Sequence, residues 1–335
     1  MDERLPWHER LWRQLQQRLA AGRLPHALLL AGRVGLGKLV FARRLARALL
    51  CEKRTDEGDA CGCCRGCRLF RAGSHPDFSA VRPAEDGKAI KIDQIRDLRD
   101  FLGLTAQYGG YKIALLEPAD RLNLSAANSL LKTLEEPPGN GLLLLVTAQP
   151  ARLPATVRSR CQTIRFDPPP LAEAISWLAP QTNGGLKPGT LLDVAGGAPL
   201  AALAYAGGES WNRRRELVER YEQVLTGQLD PVRAVEYWLQ GDLAENLRWL
   251  IGWHTDLIRL KMDLEPPCLS SPDLRAVLRR WAKRQPANVL FDRLDAAIRL
   301  YTLCSTTQIN AQLLLEAFLG DGAGSGEPDV SRTCA

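Results

Sequence analysis

Short apolar runs alternate with amphipathic segments along the first half of the chain. Three apolar runs predict buried strands, at residues 26–31, 111–116 and 142–147, and residues 77–83 predict a further strand. Four segments repeat apolar residues at helical spacing: residues 1–25, 39–50, 90–104 and 125–136, the last with Ser125 as its predicted N-cap. Strands separated by helices are typical of a parallel α/β sheet of the nucleotide-binding class.

The second half of the chain has helical periodicity and no strand pattern. It begins after three consecutive prolines, 168–170, and its first part, 171–206, predicts short helices. Six further segments predict longer helices: 212–225, 230–239, 244–261, 273–284, 289–302 and 307–319. The glycine-rich last residues, 321–335, predict disorder. The chain is therefore predicted to be an α/β domain followed by a helical region.

A glycine-rich turn joins the first predicted strand to the next predicted helix. Gly32, Gly35 and Gly37 precede Lys38, as in the phosphate-binding motif G-x-x-x-x-G-K-[ST]. The glycines of such a loop let backbone N–H groups approach a phosphate, and the helix N-terminus adds positive potential. Leu39, however, occupies the place of the Ser or Thr whose hydroxyl holds Mg²⁺. The turn is therefore a candidate nucleotide site that lacks a metal ligand.

The cysteines form a second motif. Cys51, Cys61, Cys64 and Cys67 give the spacing C-x9-C-x2-C-x2-C, with Cys63 left over. Four thiolates suit tetrahedral Zn²⁺ and leave no open position, so the pattern predicts a structural zinc site. An iron–sulfur cluster uses the same ligands, but nothing else in the sequence indicates redox chemistry. A set of free thiols on a loop is the remaining alternative.

Composition sets broad limits on the protein class. A chain of 335 residues predicts two or three domains, and its net charge of +6, from 44 basic and 38 acidic residues, is compatible with nucleic acid or an acidic partner. No run reaches the roughly 18 apolar residues of a membrane helix, and the N-terminal segment lacks the apolar core of a signal peptide. We therefore expect a cytoplasmic protein, in which cysteines favour metal binding over disulfides.

A nucleotide hydrolase normally carries Asp-Glu after a second buried strand, the Asp for the metal and the Glu for the attacking water. After residues 111–116 this chain has Glu117 and Pro118. Glu117 approximates the Asp, whereas Pro118 has no group that can act as a base. The second motif therefore agrees with the first in predicting impaired hydrolysis.

Four motifs occur in the order and at the distances found in one known family: LPHALLLAGRVGLGK, CGCCRGC, AANSLLKTLEEPP and Ser159-Arg160-Cys161. Together they resemble bacterial clamp-loader subunits of the AAA+ class, and the C-terminal region resembles them only in being helical. The resemblance implies four regions: an AAA+ nucleotide-binding α/β domain at 1–166 with a zinc knuckle at 51–67, a helical lid at 167–208, a helical collar for oligomerisation at 209–320, and a disordered tail at 321–335.

Within this family the degraded site resembles the subunit that does not hydrolyse ATP. Besides Leu39 and Pro118, the family's polar sensor position falls on Ala148 and its sensor-arginine position on Leu200. Loss of a metal ligand or a general base typically lowers rates by orders of magnitude. Nucleotide binding without turnover stays doubtful but open, since the glycines and Lys38 remain. The alternative is an active ATPase of the gamma/tau type with a variant site.

One catalytic element of the family is retained. Arg160 matches the arginine finger, which stabilises charge at the γ-phosphate in a neighbouring subunit's site. Arg158 matches the position of the arginine finger less well. The alternative role for Arg160 is a structural ion pair with a carboxylate of its own subunit. The resemblance implies gamma/tau ATPase subunits and a delta subunit as partners, and through them the sliding clamp and primed DNA. The implied role is in DNA replication, as part of a DNA-directed DNA polymerase holoenzyme without ATPase activity of its own.

The other polar residues indicate no further catalytic site. The run 213–215 predicts a solvated helix face, and the basic stripe at 279, 280, 283 and 284 favours contact with DNA or with a partner subunit. A zinc-dependent nucleic-acid binder is a third alternative, although no aromatic stacking pattern accompanies the cysteines. Four histidines are too scattered for a metal or acid–base cluster: His8, His26, His75 and His254.

Overall fold

The computed structural model describes residues 4–85, 88–108, 110–182, 185–306 and 310–323. They fall into two compact units, Met1–Glu173 and Ala174–Ala335. The first unit contains the sheet and the second consists of helices. The predicted lid and collar, 167–208 and 209–320, contribute residues to one continuous hydrophobic core in the second unit.

A five-stranded parallel sheet forms the centre of the first unit. Its strands are β1 (Ala27–Ala31), β2 (Phe78–Val81), β3 (Lys112–Leu116), β4 (Gly141–Thr147) and β5 (Gln162–Arg165). They lie in the order β2-β3-β4-β1-β5. All five residues of β1 and of β3 are buried, as the continuous apolar runs predict. The predicted parallel sheet is therefore confirmed, and β5 is a strand that the sequence pattern did not predict.

The described residues of the first unit also form six α-helices that lie wholly within it: α1 (Glu9–Ala20), α2 (Lys38–Leu49), α3 (Arg65–Arg71), α4 (Ile92–Gly103), α5 (Leu124–Glu135) and α6 (Ala155–Arg158). The predicted N-cap of α5 is wrong by two residues. Asn123, not Ser125, precedes the helix, and its side chain accepts a hydrogen bond from the Ala126 amide at 2.7 Å. Both residue types cap helices well, so local sequence alone could not choose between them.

The second unit consists of nine helices within the described residues: α7 (Leu171–Leu178), which crosses the unit boundary, α8 (Pro188–Val194), α9 (Pro199–Ala206), α10 (Glu209–Leu225), α11 (Pro231–Trp238), α12 (Leu243–Met262), α13 (Arg275–Arg284), α14 (Ala287–Thr306) and α15 (Ala311–Ala323). The predicted helical character of this half is thus confirmed. Residues 321–323 end α15, and the rest of the predicted tail, 324–335, lies outside the described residues.

A buried polar network lies inside this helical core. The Arg293 guanidinium donates to the Tyr221 hydroxyl at 3.0 Å, and that hydroxyl lies 3.0 Å from Nε2 of His254. Burial lowers the pKa of His254 to about 3, and the Arg293 charge acts in the same direction.

The run 213–215 does not form the uniformly solvated face that its charge pattern predicts. Arg214 is fully buried and pairs with Asp273, with an N–O distance of 2.7 Å. Arg213 is partly buried and pairs with Glu245 at 2.9 Å, whereas Arg215 is exposed. Pairing with distant carboxylates compensates the buried charges, which the local sequence cannot reveal.

None of the described helices is by itself long and apolar enough to span a membrane. The bent pair α8 and α9, at 114° to each other, passes that test only when the two are taken together, by length and composition. Leu191, Leu192 and Ala202 of this pair are buried in the helical core.

Candidate functional site

The glycine-rich turn lies at the carboxyl end of β1, the strand between β4 and β5. The Gly32 amide donates to the Thr147 carbonyl at 3.3 Å, and a Cβ on Gly32 would collide with the Phe166 carbonyl. Gly37 has a φ of +83°, which L side chains rarely adopt, and leads directly into α2. Strand, turn and helix therefore have the arrangement of a phosphate-binding loop, and close packing explains two of its glycines.

Lys38 is the first residue of α2 and is 6% exposed. Its ammonium donates a 2.6 Å hydrogen bond to the Arg33 carbonyl within the same loop. Burial lowers the pKa of Lys38 to about 8, partly opposed by the negative charge of Asp120. The lysine that would contact a phosphate is thus bound to the backbone of its own loop. Leu39, next to it, supplies no oxygen for a metal.

The N-terminal segment covers the same turn. The Leu36 carbonyl accepts from Trp7 Nε1 at 3.0 Å and from His8 Nε2 at 2.8 Å. A Cβ on Gly37 would collide with Leu5 and come within 2.8 Å of the His8 ring. The sequence placed no function on His8, and its role here is to hold this segment against the loop.

His8 is neutral in this position. Its Nε2 must donate, because its partner is a carbonyl, and its buried Nδ1 has no hydrogen-bond partner among the described residues. The ring packs edge-on against Phe41 and Phe166, each at 5.3 Å between centroids. Burial in this apolar setting lowers the pKa of His8 to about 4.

A measurable pH dependence follows from His8. In the unfolded chain this histidine takes up a proton below about pH 6.5, whereas in the folded chain it does so only near pH 4. Above the pKa of His8 in the unfolded chain, the neutral ring is buried without a cost for losing a proton. The free energy of unfolding then decreases as the pH falls from that pKa to about 4, because only the unfolded chain binds the proton. We expect the free energy of unfolding of the wild type, relative to His8→Gln, to fall by about 3 kcal/mol over this range. Urea unfolding at a series of pH values measures this difference.

Glutamine is the suitable comparison because its amide retains a donor for the Leu36 carbonyl without titrating. Other groups that titrate in this range, His254 among them, are common to both proteins and cancel in the difference. Parallel pH profiles for the two proteins would contradict the proposed buried neutral state of His8.

The residues after β3 do not form the Asp-Glu pair of a hydrolase. The Glu117 carboxylate accepts two hydrogen bonds from Arg82, at 2.9 and 3.2 Å. Pro118 follows, with no ionisable side chain. The carboxylate that approximates the metal-binding Asp is thus engaged in an ion pair, and the position of the base is apolar.

Asp120 is a carboxylate at this end of the sheet that sequence reasoning did not single out. It accepts hydrogen bonds from the Thr147 hydroxyl at 2.5 Å and from the Ala148 amide at 3.2 Å. Thr147 is fully buried and ends β4. Asp120 is also the residue whose charge opposes the lowering of the Lys38 pKa. Its only sequence signal was an acidic residue four positions after a buried strand.

Two further positions differ from a working nucleotide site in their side chains. Ala148, where a polar sensor is expected, contributes only its backbone N–H, to Asp120. Leu200, where a sensor arginine is expected, is a partly buried apolar residue in the first turn of α9. Neither side chain can polarise a phosphate or a water molecule.

The four predicted zinc ligands come together. The Sγ atoms of Cys51, Cys61, Cys64 and Cys67 all lie within 4.8 Å of one another. Three of the distances are 3.5 Å (Cys51–Cys61), 3.8 Å (Cys51–Cys64) and 4.0 Å (Cys61–Cys67). Zn–S bonds of about 2.3 Å in a tetrahedron separate sulfurs by about 3.8 Å. The cluster therefore has the size and shape that a structural Zn²⁺ requires.

Backbone amides support negative charge on these sulfurs. The amides of Cys61, Cys64 and Cys67 donate to the sulfurs of Cys51, Cys61 and Cys64, at 3.2, 3.4 and 3.3 Å. Donation from backbone amides lowers the pKa of Cys61 to about 6, whereas burial raises the pKa of Cys51 and of Cys67. Amide donors to a cluster of thiols fit a bound cation, because metal ligands are thiolates.

Cys63 lies on the same loop but is exposed, and its sulfur is 3.7 Å from that of Cys61. It is outside the group of four mutually close sulfurs. The four-ligand set is therefore complete without it.

Arg160 lies in the turn between α6 and β5, with 37% of its side chain exposed. Its guanidinium donates to the Thr156 carbonyl at 3.0 Å and pairs with Glu135, at the end of α5, at 2.7 Å. The Glu135 side chain is 49% exposed. Arg158, two residues earlier, is also exposed. The structure thus places both arginines at the surface and gives only Arg160 a carboxylate partner among the described residues.

The predicted basic stripe lies on α13. Arg280 pairs with Glu222 at 3.0 Å, and Arg279 donates to the Leu264 carbonyl. Lys283 and Arg284 are exposed. Half of the stripe is therefore held by contacts within the helical unit.

Comparisons with known proteins agree on one family. The family model described as DNA polymerase III, delta subunit, matches residues 7–170, and the model for the C-terminal part of that subunit matches residues 208–322. The DNA polymerase III subunit delta′ of Pseudomonas aeruginosa is 36% identical over 324 residues, which cover 95% of this chain and 97% of that protein. The Escherichia coli subunit of the same name is 37% identical over 217 residues, 64% of each chain.

A DNA polymerase III subunit tau is similar over a shorter stretch. The Salmonella typhimurium protein is 38% identical over 143 residues, which cover 43% of this chain and 22% of that protein. The similarity to delta′ subunits thus extends over both units of this chain, whereas the similarity to tau covers less than half of it.

Proposed function

The chain belongs to the delta′ subunit family of bacterial DNA polymerase III, and on that basis we propose that it is a non-hydrolysing subunit of the replicative clamp loader. It assembles with gamma/tau ATPase subunits and a delta subunit, and it presents Arg160 to the nucleotide site of an adjacent ATPase subunit. Through these partners it acts on the sliding clamp and primed DNA. We place it in the cytoplasm, where replication takes place in bacteria.

In this proposal residues 1–166 are the AAA+ domain, 167–208 the lid and 209–320 the collar that joins the subunits. The zinc knuckle, 51–67, has a structural role, because all four tetrahedral positions are supplied by protein thiolates. When bound, Zn²⁺ supplies folding energy to this loop and no chemistry.

The observation that carries the non-hydrolysing role is the loss of both the metal-binding hydroxyl and the base. Leu39 replaces the metal-binding hydroxyl, and Pro118 replaces the base. Lys38, which the motif retains, donates to the carbonyl of Arg33 in its own loop. Each group has a distinct role, so no single compensating residue can restore turnover.

We expect the purified chain to hydrolyse ATP no faster than its Lys38→Ala variant, because the site lacks both a metal ligand and a base. Phosphate release from radiolabelled ATP, with the gamma/tau partner assayed alone as a positive control, measures this rate. Equilibrium binding of a labelled ATP analogue, measured alongside, separates loss of turnover from loss of binding.

The competing function is an active ATPase with a variant site. Its support is the retained Lys38 together with Asp120, a carboxylate held at the same end of the sheet by Thr147 and Ala148. ATP hydrolysis by the lone chain that disappears in both Lys38→Ala and Asp120→Asn would establish this function and contradict the non-hydrolysing role.

A further inference from the structure

A fifth cysteine lies beside the proposed zinc ligands without belonging to them. Cys63 is exposed, and its Sγ is 3.7 Å from the Sγ of Cys61. It is outside the group of four sulfurs that all lie within 4.8 Å of one another. When the four ligands hold zinc, Cys63 therefore keeps a thiol without a bond to the metal, in contact with a sulfur that has one.

The backbone between these two cysteines allows their sulfurs to meet. Gly62 separates them and has a φ of +78°, which L side chains rarely adopt. A disulfide needs its sulfurs about 2.05 Å apart, so closing the gap from 3.7 Å requires a movement of about 1.7 Å. Rotation about the Cα–Cβ bond of the exposed Cys63 moves its sulfur by a distance of this order.

The sulfur of Cys61 is accessible to small molecules. Cys61 is partly exposed, and with Cys67 it lines a cavity of about 520 Å³. A cavity of this volume admits water, and hydrogen peroxide is only slightly larger. As a zinc ligand Cys61 is a thiolate, which is the form of cysteine that oxidants attack. This ligand thus combines access with the contact to Cys63.

Other ligands are as close to Cys61 but are less free to react with it. Its sulfur lies 3.5 Å from that of Cys51 and 4.0 Å from that of Cys67. A bound zinc ion holds both of these sulfurs in place and engages their electron pairs. The sulfur of Cys63 has neither restriction.

We propose that Cys63 is a resolving cysteine, which forms a disulfide with Cys61 when a peroxide oxidises the cluster and thereby releases zinc. In the first step the Cys61 thiolate attacks one oxygen of hydrogen peroxide, the O–O bond breaks, and a sulfenic acid and hydroxide form. In the second step the Cys63 sulfur attacks the Cys61 sulfur, the S–O bond breaks, and the thiol proton leaves with the hydroxyl as water. The two sulfurs together lose two electrons, which the peroxide takes up.

The disulfide removes one of the four zinc ligands, so the remaining three hold the metal less tightly. A reducing thiol reverses the reaction, as expected for the transient disulfides of reducing compartments. This inference rests on the zinc site proposed above and does not depend on the role in clamp loading.

Zinc release from the full chain, driven by hydrogen peroxide and followed with a chromogenic chelator, tests this inference. We expect Cys63→Ser to release zinc at least about tenfold more slowly than the wild type, because it lacks the neighbouring thiol that traps the oxidised sulfur. Dithiothreitol and added zinc should restore one ion per chain to the oxidised wild type. Oxidised Cys63→Ser should recover less, because an unresolved sulfenic acid proceeds to the irreversible sulfinic acid.

Peptide mapping locates the disulfide. Trypsin leaves Cys61, Cys63 and Cys64 together in one peptide, 55–65, and Cys51 in another, 48–53. After alkylation of the remaining thiols, we expect peptide 55–65 to contain an internal disulfide and to carry the alkyl group on Cys64. A cross-link between the two peptides would show that Cys51 resolves the oxidised sulfur, and would overturn the inference.

Cys268→Ser is the matched control, since Cys268 is exposed and lies outside the cluster. It should release zinc at the wild-type rate. Equal release by Cys63→Ser and the wild type would overturn the inference while leaving the zinc site intact. The zinc content is measured before any oxidant is added, and a chain without zinc at that stage would contradict the zinc site and this inference with it.

Discussion

Replacing Arg160 by alanine is expected to lower ATP turnover at the neighbouring subunit's site by about a thousandfold or more, and to impair clamp loading with it. An arginine supplied in trans stabilises charge on the transferring phosphoryl group and contributes about 10³ to 10⁵ in rate in comparable systems. The measurement is DNA-stimulated hydrolysis and clamp loading by the reconstituted complex. ATPase sites that this subunit does not complete continue to turn over, so total hydrolysis falls by less than turnover at that one site.

The geometry of Arg160 is compatible with this role. Its pair with Glu135 is between two partly exposed side chains, and such pairs contribute about 1 kcal/mol or less. We therefore expect a neighbouring γ-phosphate, with more negative charge than a carboxylate, to compete for the guanidinium. The hydrogen bond to the Thr156 carbonyl restricts the side chain before any partner arrives.

Two variants distinguish an arginine finger, which acts in a neighbouring subunit's site, from an arginine that only pairs with Glu135 in its own subunit. Arg158→Ala removes an exposed arginine two residues away and should leave hydrolysis and loading unchanged. Glu135→Gln breaks the intramolecular pair while keeping Arg160. If the arginine served only that pair, Glu135→Gln would reproduce the Arg160→Ala defect, whereas a finger retains its function. Full activity of Arg160→Ala complexes would contradict the proposal directly.

The sequence predicted the parts of this fold whose signals are local. Continuous apolar runs such as 142–147 identified the three central strands, β1, β3 and β4, because strands buried on both faces need no polar residues. β5 was missed for the converse reason. It lies at the sheet edge beside β1 alone, and within Gln162–Arg165 only Ile164 is buried. Edge strands of four residues give a weak pattern: β2, at the other edge, also has a single buried residue, Val81, and was predicted only from the run 77–83.

The residues of the candidate site also fall into those that the sequence could predict and those that it could not. The glycine turn and the cysteine set were predictable because their residues are close in sequence and their chemistry depends on spacing. Asp120 was not, since its partner Thr147 lies 27 residues away on the adjacent strand β4. The contact of His8 with the Leu36 carbonyl likewise spans 28 residues. Contacts between elements arise from strand order and packing, which periodicity does not encode.

The second large effect is expected at the cysteine cluster. Cys64→Ser should lower the zinc content from about one ion per chain to nearly none, because it removes one of four ligands. Structural zinc contributes on the order of 10 kcal/mol in small zinc-binding peptides. This is comparable to the 5–15 kcal/mol that stabilise a typical domain. We therefore expect a large fall in Tm for the unit that contains the sheet, and rapid proteolysis within 51–67.

Serine at this position isolates the effect of the metal. The Cys64 sulfur also caps α3 by accepting from the Cys67 amide, and a serine hydroxyl is a good N-cap acceptor. The variant therefore loses a zinc ligand while keeping a helix cap. Metal analysis of the wild type by mass spectrometry distinguishes zinc from iron, and so separates a zinc site from an iron–sulfur cluster and from free thiols.

Cys63→Ser is the matched control, because Cys63 is the neighbouring residue and lies outside the group of four close sulfurs. It should keep one zinc per chain and the wild-type Tm. If Cys64→Ser retained zinc while Cys63→Ser lost it, the ligand set would be wrong. If neither wild type nor variant bound metal at stoichiometric levels, the cluster would be a set of thiols held together by backbone amides alone. The distances between the sulfurs favour the metal, because 3.5, 3.8 and 4.0 Å are close to the separation of about 3.8 Å between sulfurs around tetrahedral Zn²⁺.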